Sequence, residues 1–348
     1  MSRTLFKYIF GMQLKTLFFV SAFTFCLIML FDFAEAVRKF PVSNAEEFSF
    51  ALKISVQRVP STFCEILHYA YFLTATFCLW NLCNSHQITI LKSLGKSPWQ
   101  ILSPFFCCAT FVAALWLFVF HPLGLYSEKS YKESISRGNT TEEVNENLWI
   151  NNKKNHEFIF IRKFHENSIE GLYIFNTQNR SRIFARNVSV ESGGEWHLHN
   201  IALTEGDEIK RVDEMRIPGC IPADMVEILS KPPRKHNVYT LYKLMKIQRL
   251  EQLELRAYDL ELNKLLVYCA NFILFVLIAA AICFPINRYN TKINIAFKTI
   301  FYAVILRFVN EIFESFANNG MLPIGVAIWI VMAVFMCISI AILIWREV

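Results

Sequence analysis

Apolar residues gather into six long runs along the 348-residue chain, near 12–34, 61–83, 101–123, 264–285, 295–317 and 322–345. Each is long enough for a helix to cross a bilayer, which takes roughly 20 residues. A helix satisfies its own backbone polar groups, so such runs predict membrane-spanning helices. Between the third and fourth runs the pattern changes to alternation. "EFIFIRKF" (157–164), "GLYIF" (171–175), "RIFARNVSV" (182–190) and "EWHLHNIAL" (195–203) are rich in β-formers. Ser192-Gly193-Gly194 is a turn signal between the last two. Short strands at this spacing predict a sandwich or barrel-like β domain. A proline-containing link, Ile221 to Pro233, follows, and residues 239–266 read as a polar helix running directly into the fourth span. No tandem repeat is present. The expected fold is a polytopic α-helical membrane protein of six transmembrane helices, with an all-β domain inserted between helices 3 and 4. The expected divisions are 1–124, 125–238 and 239–348.

The segment "NSHQITILKSLGKSPWQIL" (84–102) lies between spans two and three. Gly95-Lys96-Ser97 resembles the end of a phosphate loop, but the motif needs a glycine five positions earlier, where Ile90 stands. A preceding strand is also missing, so the segment predicts no nucleotide site. Its spacing predicts a short amphipathic helix over about residues 85–95. Asn84 is the expected cap, with Gln87 reaching back to it. Ile88, Leu91 and Leu94 fall at i, i+3 and i+6 as an apolar stripe. Gly95 suits a left-handed stop, and Pro98 prevents continuation. Such a helix either lies on lipid or carries force from a docked partner into the spans; the pattern alone does not choose.

Charge sets the orientation. With the N-terminus in the cytoplasm, inner segments carry Arg3, Lys7, Lys92, Lys96, Arg288, Lys292 and Arg346 against Glu347 alone. The expected outer loop, 35–60, is mixed: Arg38, Lys39, Lys53 and Arg58 face Glu35, Glu46 and Glu47. The positive-inside rule then places both termini inside and the β domain outside. The net charge of +6 comes from scattered residues with no dense basic run, which argues against nucleic acid. Ten cysteines are present, but nine lie in or beside apolar runs, and no C-x-x-C occurs. That excludes a disulfide framework and gives zinc no recognisable site. The first run is longer than the core of a cleavable signal and reads as a retained span.

Ionisable residues inside spans are costly and are functional candidates by default. Asp32 and Glu35 stand at the outer end of span one, with Arg38 just beyond; Glu65 and His68 lie in the outer half of span two. Span five carries Lys298, Arg307, Glu311 and Glu314. Arg307 and Glu311, four apart, share a helical face. Either they form a structural pair, or Arg307 lines a cavity, where its guanidinium suits phosphate. His68 reads as a hydrogen-bonded core residue, Lys298 as snorkelling to headgroups, and Glu314 as solvated. Phe158, Phe160, Leu172, Ile174, Phe184 and Trp196 are the candidate core of the β domain.

Local wording and the order of elements resemble the lipopolysaccharide-export permeases LptF and LptG, more closely LptG. The resemblance covers essentially the whole chain: "KYIFGMQLKTLFFVSAF", "FDFAEAVRKF", "RVPSTFCEIL", "LWNLCNSHQITILKSLGKSPWQILSPF", "HPLG", "LWINNKKNHEFIF" and "NNGMLPIGVAIW". It implies an inner-membrane permease that pairs with an LptF-like partner. Two copies of an LptB-like ATPase would dock on the helix between spans two and three, using Gln87, Ile88, Leu91, Lys92 and Leu94. An LptC-like single-span protein would join the complex. Lipopolysaccharide would enter a cavity with Asp32, Glu35, Arg38, Arg307 and Glu311 as candidate contacts. It would then pass into periplasmic jellyrolls, along Phe158, Phe160, Ile174 and Phe184 in this chain. ATP would be hydrolysed by the partner, and this chain would bind no cofactor or metal. The chain departs from the family pattern at Gln87, where an acid is common, at His68, where proline is common, and at Asp32, where a basic residue is common.

Three other readings are weaker. "ILKSLGKS" is similar to a helix in permeases for cell division or macrolide efflux, but those have four spans and a large domain after the first. A membrane-embedded lipid-modifying enzyme needs clustered acids, and Asp32, Glu35, Glu46 and Glu47 match no catalytic pattern. A glycosylated receptor would use the sequons at Asn139, Asn179 and Asn187, which are common by chance.

Overall fold

The computed structural model describes residues 3–39, 44–135, 145–164, 168–178, 181–190, 195–205, 208–218, 228–229, 232–251, 253–284 and 292–345. Cα packing divides the chain into two compact units, Met1–Arg137 with Asn263–Val348, and Gly138–Leu262. The first is helical and the second is built on one sheet.

Six helices of the described residues are long and apolar enough to cross a membrane. Helix α1 spans Arg3–Lys39 and α2 spans Ala45–Asn84. A short α3, Gln87–Ser93, is followed by α4, Pro98–Leu115, a π-helical turn, Trp116–Phe120, and α5, His121–Ile135. Beyond the β unit come α7, Arg256–Cys283, α8, Lys292–Asn318, and α9, Ile324–Trp345.

The expected outer loop, 35–60, is largely helix. A capping box starts α2: the Asn44 side chain accepts from the backbone N–H of Glu47, and the Glu47 carboxylate accepts from the Asn44 backbone N–H at 3.2 Å. Residues 45–60 extend the second span outward because their polar positions fall on one side and Ala51, Ile54, Ser55 and Val59 are buried on the other. Buried polar bonds lock the helices together. Gln13 donates to the Tyr71 hydroxyl at 2.8 Å, and Tyr71 donates to the Phe105 carbonyl at 3.1 Å, joining α1, α2 and α4. Trp116 in the π turn donates its indole N–H to the Cys64 carbonyl at 2.8 Å, and the Cys64 thiol donates to the Phe120 carbonyl at 2.9 Å. The π turn therefore has both its displaced ring and a displaced carbonyl satisfied by α2.

The sheet unit holds β1 (Asn145–Asn152), β2 (Glu157–Phe164), β3 (Ser168–Asn176), β4 (Ser181–Val190), β5 (Glu195–Glu205) and β6 (Glu208–Pro218). All pair antiparallel in sequence order, and β7, Leu253–Glu254, adds to the far side of β1. Strands β1 and β6 escape the alternation pattern because they are rich in Asn and charge. The expected continuous helix over 239–266 is interrupted: α6 covers Val238–Glu251, β7 intervenes, and α7 begins at Arg256. The break is held at the sheet edge, where Glu254 pairs with Lys153 and accepts from the Asn151 amide at 3.0 Å.

Register assigns the faces. The rows Ile150–Ile159–Ile174 and Leu148–Ile161–Leu172–Ala185 lie on one side and are buried. Beyond the row Arg162–Gly171–Arg186–Asn200 the alternation slips by one, and Ile169, Val188, Leu198 and Trp196 are the buried set. Gly171 (φ 73°) and Asn200 (φ 56°) are left-handed at that row, so the sheet is creased along it. A Cβ at Gly171 would stand 2.9 Å from the Arg162 Cβ, which leaves glycine as the residue that fits.

Candidate functional site

Three regions carry the expected chemistry. The first is α3. Asn84 ends α2 instead of capping α3, and His86, left-handed at φ 56°, is the residue before the helix, with no side-chain cap. Gln87 is thus the first helical residue. The stop is as expected: Gly95 (φ 74°) donates to the Lys92 carbonyl at 2.9 Å and Lys96 to the Leu91 carbonyl at 3.1 Å, a Schellman pair. Ser97 caps α4 by accepting from the Gln100 N–H at 3.3 Å, with Pro98 at the first helical position. Gly95-Lys96-Ser97 is therefore a helix stop joined to a helix start.

The stripe divides. Ile88 and Leu91 are buried, whereas Leu94 and Ile90 are 69% and 57% exposed. Rotation of α3 against α2 and α4 turns Ile88 and Leu91 inward and presents Ile90 and Leu94 outward. Lys92 holds its ammonium 5.6 Å from the Phe284 ring centroid just past α7. The Cys83 thiol lies 3.5 Å from the Cys283 carbonyl, and the Cys283 thiol 3.5 Å from that of Thr76. Thus α3, the end of α2 and the end of α7 form one packed corner.

The second region lies at the opposite end of α1 and α2. Arg58 donates to Glu35 at 2.9 Å and stands 3.8 Å from buried Asp32. Glu35 also pairs with Lys39 at 2.6 Å, and the Arg58 guanidinium lies 5.7 Å from the Tyr131 ring centroid of α5. Asp32 and Glu35 are brought together here with Arg58, which sequence reasoning had placed among loop charges; Arg38 is exposed beside them. The cation beside Asp32 comes from α2.

A cavity of about 530 Å³ opens between α2 and α8, with Thr24 of α1 at its wall. Ile66, Ala70, Leu73, Ile300, Val304 and Phe308 make it apolar, and Arg307 and Glu311 line it as its charged pair, 2.7 Å apart. Tyr69 and Tyr268 are the phenols that interact electrostatically with Arg307. Structural pair and cavity lining are therefore both true of Arg307. His68 sits behind Tyr69, 3% exposed. Its ring packs 4.0 Å from Tyr69, 5.3 Å from Tyr268 and 6.1 Å from Phe275 by centroids. Among the described residues neither ring nitrogen has a hydrogen-bond partner, unlike the bonded core histidine expected. Glu314 is not free in solvent either, since it pairs with Lys264 of α7. The most apolar windows of α1 and α8 are 11% and 17% buried, against 67% for α2 and for α7. Phe18, Phe19, Phe23 and Phe31 of α1, with Phe297, Phe301 and Phe308 of α8, are exposed. These two helices are the uncovered walls of the bundle.

The third region is on the sheet. Trp149, Phe160, Tyr173 and Phe184 stand in register on neighbouring strands, with centroids 4.6, 5.7 and 4.6 Å apart in succession. Phe158 and Trp149 on that face are 42% and 57% exposed. The ladder crosses four strands on the side away from the buried rows. Of the expected lipid-route residues, Phe160 and Phe184 belong to the ladder, Phe158 shares its face, and Ile174 falls on the opposite, buried face. Cys220, the turn at 192–194, the sequons at Asn139 and Asn179, Arg288, Arg346 and Glu347 lie outside the described residues.

A comparison with protein families matches residues 7–346 to the lipopolysaccharide export system permease LptF/LptG. No curated protein matches the chain.

Proposed function

This chain belongs to the LptF/LptG family of lipopolysaccharide export permeases, and from that premise we propose that it is one half of an ABC-type exporter driven by a separate ATPase. The family and the six apolar helices make it a multi-pass inner-membrane protein. Which of the two permeases it resembles more is part of the proposal, and the reading here is LptG.

The observation that carries the reading is the apolar cavity beside α8, with a single guanidinium–carboxylate pair in its wall. A lipid with several acyl chains and a phosphorylated head needs such a space, apolar in area and cationic at few points. The uncovered faces of α1 and α8 meet a second, LptF-like permease, and the two chains enclose the substrate. An LptB-like ATPase binds the outward surface of α3, chiefly Ile90 and Leu94, with Gln87 at its rim. Ile88, Leu91 and Lys92 pass that load to α2 and α7. An LptC-like single-span protein completes the assembly. Positive-inside placement puts both termini and α3 in the cytoplasm and the sheet unit in the periplasm.

Closing of the cavity on ATP binding moves lipopolysaccharide outward. The aromatic ladder then receives acyl chains, because large, partly exposed rings offer apolar contact without a closed core. The Arg58–Asp32–Glu35 cluster at the outer end serves headgroup phosphates, with Arg38 and Lys39 nearby. Nucleotide is bound by the partner and no cofactor by this chain. A photo-crosslinker at Phe160 in the assembled complex is expected to capture lipopolysaccharide only when ATP is supplied. Capture that is equal without ATP would overturn the driven route.

A further inference from the structure

Helix α8 has a second groove on its other side. A cavity of about 460 Å³, within the range of small-molecule sites, lies between the ends of α7, α8 and α9. Ile278 and Ile282 of α7, Phe301 of α8, and Phe335 and Ile338 of α9 make its wall apolar. Among the described residues Lys298 is its charged lining residue, and no carboxylate lines it. Among the described residues Lys298 has no ion-pair partner, whereas Lys264 and Arg307 of the same bundle are paired.

Position along the helices fixes the depth. Lys298 is six residues past the start of α8, about 9 Å along the axis at 1.5 Å per residue, and Trp345 is the last residue of α9. Both line the groove. An ammonium and an indole lining one groove near the helix ends, with apolar side chains beside them, is the pattern of a membrane interface. The end concerned is the one that carries α3, since the last residues of α7 pack beside Lys92.

We propose that this groove holds one anionic glycerophospholipid of the leaflet at that end, cytoplasmic in the orientation given above. Its phosphate meets Lys298 at the end of the groove that Trp345 also lines, and an acyl chain lies against Phe301, Phe335 and Ile338. The charge balance selects the ligand: among the described residues the groove is lined by one unpaired cation and no acid, which favours a net-negative headgroup over a zwitterion. Thr299, Ile300 and Val304 line the larger cavity while Lys298, Phe301 and Tyr302 line this one. Helix α8 is their shared wall, so the bound phospholipid braces the helix that bounds the substrate cavity.

The test is retention of added phosphatidylglycerol or phosphatidylcholine by the purified complex, counted as lipid adducts by native mass spectrometry. Phosphatidylglycerol is expected to be retained in preference. Lys298→Ala should lower its retention about fivefold, the weight of one interfacial cation, and leave phosphatidylcholine unchanged; Lys298→Arg should restore it. Ser339→Trp fills the groove and should remove both lipids. Equal retention of the two lipids by the native complex, or no loss in Lys298→Ala, would overturn the site. The exposed ammonium makes Lys298→Ala a mild change, so the test stands if the tryptophan variant fails to assemble. The readout uses neither ATP nor lipopolysaccharide, so its failure is distinct from failure of the transport reading.

Discussion

At the scale of single residues, two positions bear more than the hydropathy pattern suggests. Asp32 is buried at the outer end of α1, and Arg58 is the cation beside it. Removing one partner of a desolvated pair leaves the other uncompensated. Arg58→Ala should cost about 2 kcal/mol, reduced from the fully buried case because the guanidinium is partly exposed. This is read as a lower melting temperature in detergent. Adding Asp32→Asn should recover most of it, and a double variant as unstable as the single would contradict the pairing. Gly171 is the second case. An added Cβ meets both a left-handed backbone and the Arg162 side chain, so Gly171→Ala should cost about 1–3 kcal/mol. It is expected to speed proteolysis within the sheet unit while the helices stay intact. Asp32, Glu35, Arg307 and Glu311 were legible as candidates because charge in an apolar run stands out. Arg58 was not, since residues 44–60 read as loop by hydropathy and only the fold reveals them as helix. The two unbonded ring nitrogens of His68 were equally hidden, because sequence gives identity and not neighbours.

At the scale of elements, α3 shows what periodicity can and cannot say. Its existence and its Gly95 stop were visible, as helix geometry and left-handed glycine are local matters, whereas its start was not, because Asn84 closes α2 and α3 begins only at Gln87. Its rotation was not, because Leu91 and Leu94 are equivalent in the stripe and tertiary packing separates them. Leu94→Asp should therefore abolish co-purification of the ATPase without disturbing membrane insertion. Leu91→Asp should instead destabilise the chain itself. If Leu94→Asp left co-purification intact, the docking surface would lie elsewhere. The α6–β7–α7 junction was read as one helix, since its helical composition is continuous and only pairing with β1 extends Leu253 and Glu254. There the hydrogen bond from Lys153 holds the Glu254 carboxyl below the usual carboxylate range. A depressed carboxyl contributes stability above its unfolded value and loses it as pH falls through the folded one. The gain is small at an exposed pair, below about 1 kcal/mol. Amide exchange at β7 should rise as pH drops below the ordinary carboxylate range, after correction for intrinsic rates, and Glu254→Gln should flatten that rise.

At the scale of the whole molecule, the six spans and the inserted all-β region were readable from the chain, because bilayer thickness fixes the length of a run and pleating fixes a period of two. The crease was not, because Gly171 and Asn200 are separate, ordinary residues along the chain and only the strand register brings these two left-handed positions into one row. The uncovered character of α1 and α8 was also hidden: their phenylalanines look like those of α7, and burial alone separates them. What results is a bundle with one packed corner at α3, an apolar cavity along α8 and an exposed aromatic ladder on the sheet. In the proposed function this chain is a lever that moves lipid with energy released elsewhere. The direct test is a set of proteoliposomes holding this chain alone, its ATPase with the second permease, or all together, assayed at once for ATP hydrolysis and lipopolysaccharide release. Hydrolysis should be absent from the chain alone, and release should appear only in the full assembly with ATP. ATP consumption by the chain alone, or release from the assembly lacking it, would contradict the account.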